Sequence, residues 1–369
     1  MKQLVFTFFL LGAFAFGQSE YQFTKVVDLT PSPVISQGKT GTCWSFSTIS
    51  FLESEVKRLT KKDIDLSEMY IVRNTYPDKA YNYVYRQGKA QFSEGGLAHD
   101  VINAVRKGGV VPQENFTGFV GNTDKYDHSV MVQKLTGYVK NITHHPKAYM
   151  NEDWMKGFEE ILTEYMGEKP KSFVYEGKTY TPQQFADYLK INPDDYVSFS
   201  SFTHYPYYKP FVLSIPDNFS NGSFYNLPLD EYMQLMSDAV QNGFTLSFSC
   251  DVGEPGFSAK EGMAILPAEG KKEEYFKILL PEKWVTAEER QKSFEDFSTQ
   301  DDHLMHITGI VKDQLGNLYF DVKNSWGTEN LGNAGHVYMS FPYIRMKSIC
   351  FLVHKDALSK ELKMKLGIQ

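Results

Sequence analysis

Cysteine is scarce in this sequence, with three in 369 residues. Three thiols cannot all pair inside the chain, so at least one is free or reacts outside it. Long apolar runs are missing as well: beyond the N-terminus no segment approaches the roughly 20 residues that a bilayer-spanning helix requires. There is no dense Lys/Arg block. The 38 basic and 45 acidic residues leave a net charge of −7, which argues against a nucleic-acid partner. No spacing of His, Cys, Asp or Glu reads as a metal site, no cofactor is called for, and no repeat or low-complexity linker interrupts the chain. What is present is 42% hydrophobic and 15% aromatic residues, the composition of a packed protein. The length suits one large domain or two of roughly 150 residues.

The first residues, MKQLVFTFFLLGAFAFG, place Lys2 before an apolar stretch from Leu4 to Phe16, with Ala15-Phe16-Gly17 as a small-x-small cleavage site. That stretch is too short to span a bilayer as a helix. The expectation is a signal peptide over 1–17 and an exported mature chain, 18–369, in the periplasm or outside the cell, without stable membrane insertion. An uncleaved anchor is the other reading. A free thiol in an exported protein is a liability unless it is buried or used. The oligomeric state stays open.

Apolar spacing predicts a helix from Cys43 to Leu59, with Ile49, Leu52, Val56 and Leu59 inward and Glu53, Lys57 and Arg58 on its polar surface. A second is predicted from Leu97 to about Lys107, capped by Gly108. Others are expected over Asn151–Met166 with an Asn cap, from Thr181-Pro182, and from Pro228 to Gly243. Strand periodicity puts Leu246, Phe248, Cys250 and Val252 on one face. Further strands are predicted at His303–Asp313, Asn317–Lys323, Gly335–Phe341 and Ile349–Val353. Helices gather early and strands late, the pattern of an α+β protein.

The stretch QGKTGTCWSFS puts Cys43 where a helix begins. A thiol is a nucleophile as thiolate, and a helix N-terminus favours the anion. A neighbouring imidazole would complete the activation, with a third group to orient it. Acyl transfer also needs donors for the oxyanion, and the Cys43 N–H and the Gln37 carboxamide are within sequence reach. A buried structural cysteine beside a capping turn is the competing reading of the same residues.

Gln37-Gly38-x-x-Gly41-x-Cys43-Trp44-Ser45-Phe46 resembles the nucleophile segment of papain-like cysteine peptidases. Similar also are the lead-in VVDLTPSPVISQG, Glu94-Gly95-Gly96 and Asn324-Ser325-Trp326-Gly327. FSCDVGEPG, DDHLMHITGI and a long middle insertion resemble the bleomycin hydrolase/aminopeptidase C branch. The resemblance implies an α+β, papain-like two-lobed fold, with a helical left lobe, a β-barrel-like right lobe and a largely helical insertion at about 121–235.

The resemblance further implies that Cys43 is the nucleophile, Gln37 the oxyanion side chain, Asn324 the acceptor from the imidazole and Trp326 the shield over that bond. Gly95 and Gly96 would line the substrate cleft, where a backbone without Cβ admits an extended peptide; a turn preceding a helix explains the pair equally well. His303 matches the family's histidine and His306 is the alternative, since residues three apart on a strand face opposite ways.

Three departures stand out. The family's disulfide positions hold Thr40 and Ser93, so packing must hold the nucleophile loop. Cys250 and Cys350 read as buried free thiols in preference to a disulfide. The branch's C-terminal arm, whose carboxylate receives a substrate's amino group, gives way to KDALSKELKMKLGIQ, where Leu358, Leu362 and Leu366 predict a helix capped by Asp356 and ended by Gly367. The expected activity is therefore peptide-bond hydrolysis as aminopeptidase or endopeptidase. A non-catalytic peptide-binding protein with a papain-like cleft is the other class considered.

Overall fold

The computed structural model describes residues 20–29, 32–149 and 153–368, so the signal-peptide assignment at 1–17 lies outside the described residues. The chain enters through β1 (Thr24–Asp28) and builds three long helices, α1 (Cys43–Thr60), α2 (Glu68–Tyr85) and α3 (Ala98–Gly108). The middle supplies α4 (Ser129–His144), α5 (Pro146–Tyr149), α6 (Trp154–Met166), the hairpin β2 (Phe173–Tyr175) and β3 (Lys178–Tyr180), and α7 (Pro182–Tyr188). Strands β4 (Tyr196–Ser200), β5 (Pro210–Val212) and β6 (Ser223–Asn226) precede α8 (Leu229–Gln241). Then come β7 (Leu246–Cys250), β8 (Phe257–Ser258), β9 (Met263–Ala264), α9 (Ala287–Glu295), β10 (His303–Lys312), β11 (Leu318–Lys323), β12 (His336–Ser340), α10 (Phe341–Lys347), β13 (Ser348–His354) and α11 (Lys360–Leu366).

Apart from the β2–β3 hairpin, the strands form one mixed sheet of eleven. Its order is β5-β6-β4-β13-β7-β10-β11-β12-β9-β8, with β1 paired to β10. The sheet stays open, because β5 and β8 end the path without meeting. Two apolar cores flank it. The first joins α1 to α4, α6 and α7 with one sheet face; the second packs α8, α10 and α11 on the other. Alternation on the strands decides which core each residue joins. Leu304 lies in the first, while Met305 and Ile307 lie in the second.

That alternation also settles the cysteines. On neighbouring strands Cys350 stands opposite Ser249 and Cys250 opposite Ser348. Cys350 points into the first core and Cys250 into the second, so the two thiols lie on opposite faces of the sheet. All three cysteines are free and buried, which for Cys250 and Cys350 is what the apolar strand setting predicts.

Several expected boundaries shift for local reasons. α3 starts and ends one residue later and is capped by Gly109 at φ 70, where a Cβ would overlap the Pro182 carbonyl. Gly108 is helical. The helix expected from Asn151 begins at Trp154 with Asp153 at its cap, and Asn151 lies outside the described residues. Glu53, expected on the polar surface, is buried at 5% exposure, because α1 is enclosed from Cys43 to Val56 on all sides. At the C-terminus the cap is Ser359, whose hydroxyl accepts from the Leu362 N–H at 3.1 Å, and not Asp356. Gly367 ends that helix at φ 69. Leu358 and Leu366 anchor it in the second core, across the sheet from the core that contains Cys43.

Candidate active site

The Gln37 loop and the Asn324-Ser325-Trp326-Gly327 stretch are fastened together strand-fashion. Ser36 bridges Trp326. The Gln37 N–H donates to the Ser325 carbonyl at 2.8 Å, and the Gly327 N–H to the Ile35 carbonyl at 3.2 Å. Side chains repeat the link: Ser325 Oγ donates to Gln37 Oε1 at 2.6 Å, and Gln37 Nε2 donates to the Thr40 carbonyl at 2.6 Å. The carboxamide is held at both ends, with one of its two Nε2 hydrogens uncommitted.

Thr40, standing where the family has a disulfide cysteine, donates from Oγ1 to the Gln37 carbonyl at 2.8 Å and meets Thr42 Oγ1 at 2.6 Å. Gly38 at φ 62 lets the loop press onto the Tyr126 carbonyl, which a Cβ would overlap. Hydrogen bonds and close backbone contact therefore do the work of the missing crosslink.

Cys43 is the first residue of α1, at 9% exposure. The first-turn N–H groups of a helix have no intrahelical acceptor, so the Cys43 N–H is left for another partner. Burial pushes the thiol up to about 12; the N–H of Leu304 opposes this, the charges of Asp217 and Asp301 add to it, and the N–H of Trp44 opposes it. Desolvation thus opposes the pull of the helix end on the thiol proton.

His303 opens β10, next to the residue whose N–H faces that sulfur. Its Nε2 is 2.7 Å from Asn324 Oδ1. The same Oδ1 accepts the Ser325 N–H at 2.8 Å, which identifies the oxygen and makes His303 Nε2 the donor. In the neutral ring Nδ1 is then an unprotonated base. Burial lowers the imidazole pKa, while the Asn324 bond and then Asp302 raise it. Trp326, 39% exposed, lies over His303 with ring centroids 4.7 Å apart.

His306 sits in a different environment. Lys323 Nζ donates to Ser50 Oγ at 2.8 Å, so the Ser50 hydroxyl donates to His306 Nδ1 at 2.9 Å. Burial, Lys323 and His336 push this imidazole well below its ordinary value. It lines a cavity of about 260 Å³ together with the charged residues Glu53, Asp65, Glu68 and Lys323 and the apolar Ile35, Phe46 and Leu304.

In this cavity Glu53 accepts from the Leu66 N–H at 3.0 Å and from Ser32 at 2.7 Å, yet burial pushes it up to about 7. The folded chain holds that proton where the unfolded chain has released it. The Glu53 contribution to stability is therefore full below the unfolded value of about 4.3 and is lost as pH rises through about 7, by on the order of 3 kcal/mol. Glu53→Gln should flatten this decline in denaturant unfolding measured between pH 5 and 8; an unchanged slope would remove Glu53 as its source.

Across from Cys43, Trp44 Nε1 donates to the Glu94 carbonyl at 2.9 Å, and Gly96 packs under the Trp44 ring, where a Cβ would come within 3.1 Å. Gly95 faces the carboxylate of Asp217. The structure thus gathers Gln37, Cys43, His303, Asn324 and Trp326 where α1 meets β10 and the 324–327 turn, with the glycine pair beside Trp44. Sequence reasoning missed Asp217, Asp301 and the buried Glu53 group. The acidic Asp301-Asp302 pair before His303 was the only visible signal for any of them.

This fold is that of a papain-like cysteine peptidase. Residues 15–368 match the Peptidase C1-like family, and the chain belongs to it. It is 23% identical over 377 residues to aminopeptidase C of Listeria monocytogenes, covering 91% of this chain and 83% of that one. It is 24% identical over 371 residues to bleomycin hydrolase of Rattus norvegicus, covering 87% and 80%. Among solved structures, PepW of Lactobacillus rhamnosis shares the fold with a TM-score of 0.72 at 20% identity, over 93% of this chain and 84% of that one.

Proposed function

We propose that this chain hydrolyses peptide bonds at Cys43 with His303, Asn324 and Gln37, as an aminopeptidase acting outside the cytoplasm. The observation that carries the catalytic reading is the 2.7 Å bond from His303 Nε2 to Asn324 Oδ1, at the start of the strand whose next N–H faces the sulfur. With Nε2 committed to Asn324, Nδ1 takes the thiol proton as sulfur attacks the carbonyl carbon. The Cys43 N–H and the uncommitted Nε2 hydrogen of Gln37 receive the oxyanion. As the tetrahedral species collapses, the C–N bond breaks and the amine leaves with the proton from Nδ1. His303 then deprotonates the water that cleaves the thioester.

The names of the relatives, aminopeptidase C among them, support an amino-terminal substrate, and the segment 1–17 supports export. An epoxide that alkylates thiols is the direct test. It should add one mass increment, at Cys43 and not at Cys250 or Cys350, and stop hydrolysis of aminoacyl and peptidyl amide reporters. Continued hydrolysis by fully labelled protein, or an unreactive Cys43 in the folded chain, would overturn the reading.

A further inference from the structure

We propose that Asp217, carried into the cleft by the loop at 213–222, receives the α-ammonium group of the substrate and so sets cleavage at the amino end. This rests on the peptidase reading of the Cys43 site and names what that site selects. Both Asp217 carboxylate oxygens press on Gly95, where a Cβ would overlap them, so an acidic side chain occupies the cleft wall that an extended peptide would otherwise follow. Its charge reaches Cys43 and Asp301.

The loop is braced to hold this position. Asn218, buried at 6% exposure, donates to the carbonyls of Leu213 at 2.8 Å and Gly222 at 3.1 Å and accepts the Gly222 N–H at 2.7 Å. Ser220 donates to Asp100 Oδ1 on α3 at 2.6 Å. A carboxylate fixed in this way binds a cation without first ordering itself.

The site is short of a positive charge. Among the described residues no donor bonds the Asp217 carboxylate and no cation lies within 4 Å of it. The nearby buried cation, Lys79, is committed to the Gly95 carbonyl and lies 4.3 Å over the Phe219 ring. Asp301 accepts from Ser249 at 2.9 Å through Oδ1; its Oδ2 is buried without a full hydrogen bond, and the Asp217 N–H faces the carboxylate. Burial, with Asp217 next in effect, pushes Asp301 up to about 7. Two acids that repel each other beside the nucleophile suit a group that brings a positive charge and three N–H donors. An α-ammonium next to the scissile bond is such a group. The C-terminal helix is packed in the second core.

The test compares an aminoacyl amide reporter with its N-acetylated form on the full chain. Wild type should favour the free amine by at least about 30-fold in kcat/KM. Asp217→Asn should lose most of that preference through the free-amine substrate, leaving the acetylated reporter unchanged or improved as an internal control for folding. Retained preference in Asp217→Asn, or none in wild type, would overturn the proposal. Binding of a free-amine dipeptide and its acetylated form to Cys43→Ala protein, with and without Asp217→Asn, reads the same contact without turnover. Amine-selective binding that depends on Asp217 in a chain that hydrolyses nothing would sustain the anchor while refuting the peptidase reading.

Discussion

Cys43→Ala protein should fold normally and lose at least about 10⁴-fold in kcat/KM, because removing the nucleophile disables the whole catalytic unit. The substitution deletes one sulfur at the cleft edge, so the unfolding midpoint should move by no more than about 1 kcal/mol. Cys43→Ser should be nearly as inactive: a buried hydroxyl is a poorer nucleophile than sulfur unless a base strongly activates it. Cys250 and Cys350 occupy opposite cores, and alanine at either should cost stability and spare turnover. Purified Cys43→Ala enzyme that retains more than a few per cent of wild-type activity would remove sulfur from the mechanism.

The two histidines of DDHLMHITGI should separate cleanly. His303→Ala should lower kcat by about 10³-fold with little change in KM, since it removes the group that moves the proton in both halves of the reaction. His306→Ala should leave kcat within a few-fold of wild type and lower stability by about 1–3 kcal/mol. It leaves the Ser50 hydroxyl, tied to Lys323 Nζ, without its buried acceptor. A pH profile gives a second reading. Burial is the largest influence on His303 and lowers its pKa, and the mechanism needs its neutral form. The acid limb of kcat/KM should therefore fall below the ordinary imidazole value of about 6.5. Loss of turnover in His306→Ala, with His303→Ala active, would exchange their roles.

Other parts of this chemistry rest on bonds between segments far apart in the sequence. Asn324 Oδ1 is oriented by the Ser325 N–H, and Ser325 Oγ in turn holds Gln37, 288 residues away in sequence. One tetrapeptide thus positions the carboxamides on both flanks of the site. Trp326 owes its place to the short pairing of 35–37 with 325–327, which packs its ring over His303.

The sequence by itself determined what depends on neighbours along the chain. The apolar period of α1, the Thr181-Pro182 start of α7, the alternation in β7 and the leucine spacing before Gly367 were all legible, because three or four residues suffice to express them. So was the nucleophile segment, whose loop, thiol and helix start lie within a dozen residues. Tertiary structure alone decided what depends on approach between distant segments. It buried Glu53 on a helix face that periodicity marks as polar, and it put Cys250 and Cys350 on opposite sides of one sheet. It moved the thiol toward its neutral form by desolvation and set Asp217 against Gly95, more than a hundred residues away along the chain. Burial and field are properties of the assembled surroundings, and no window of sequence contains them.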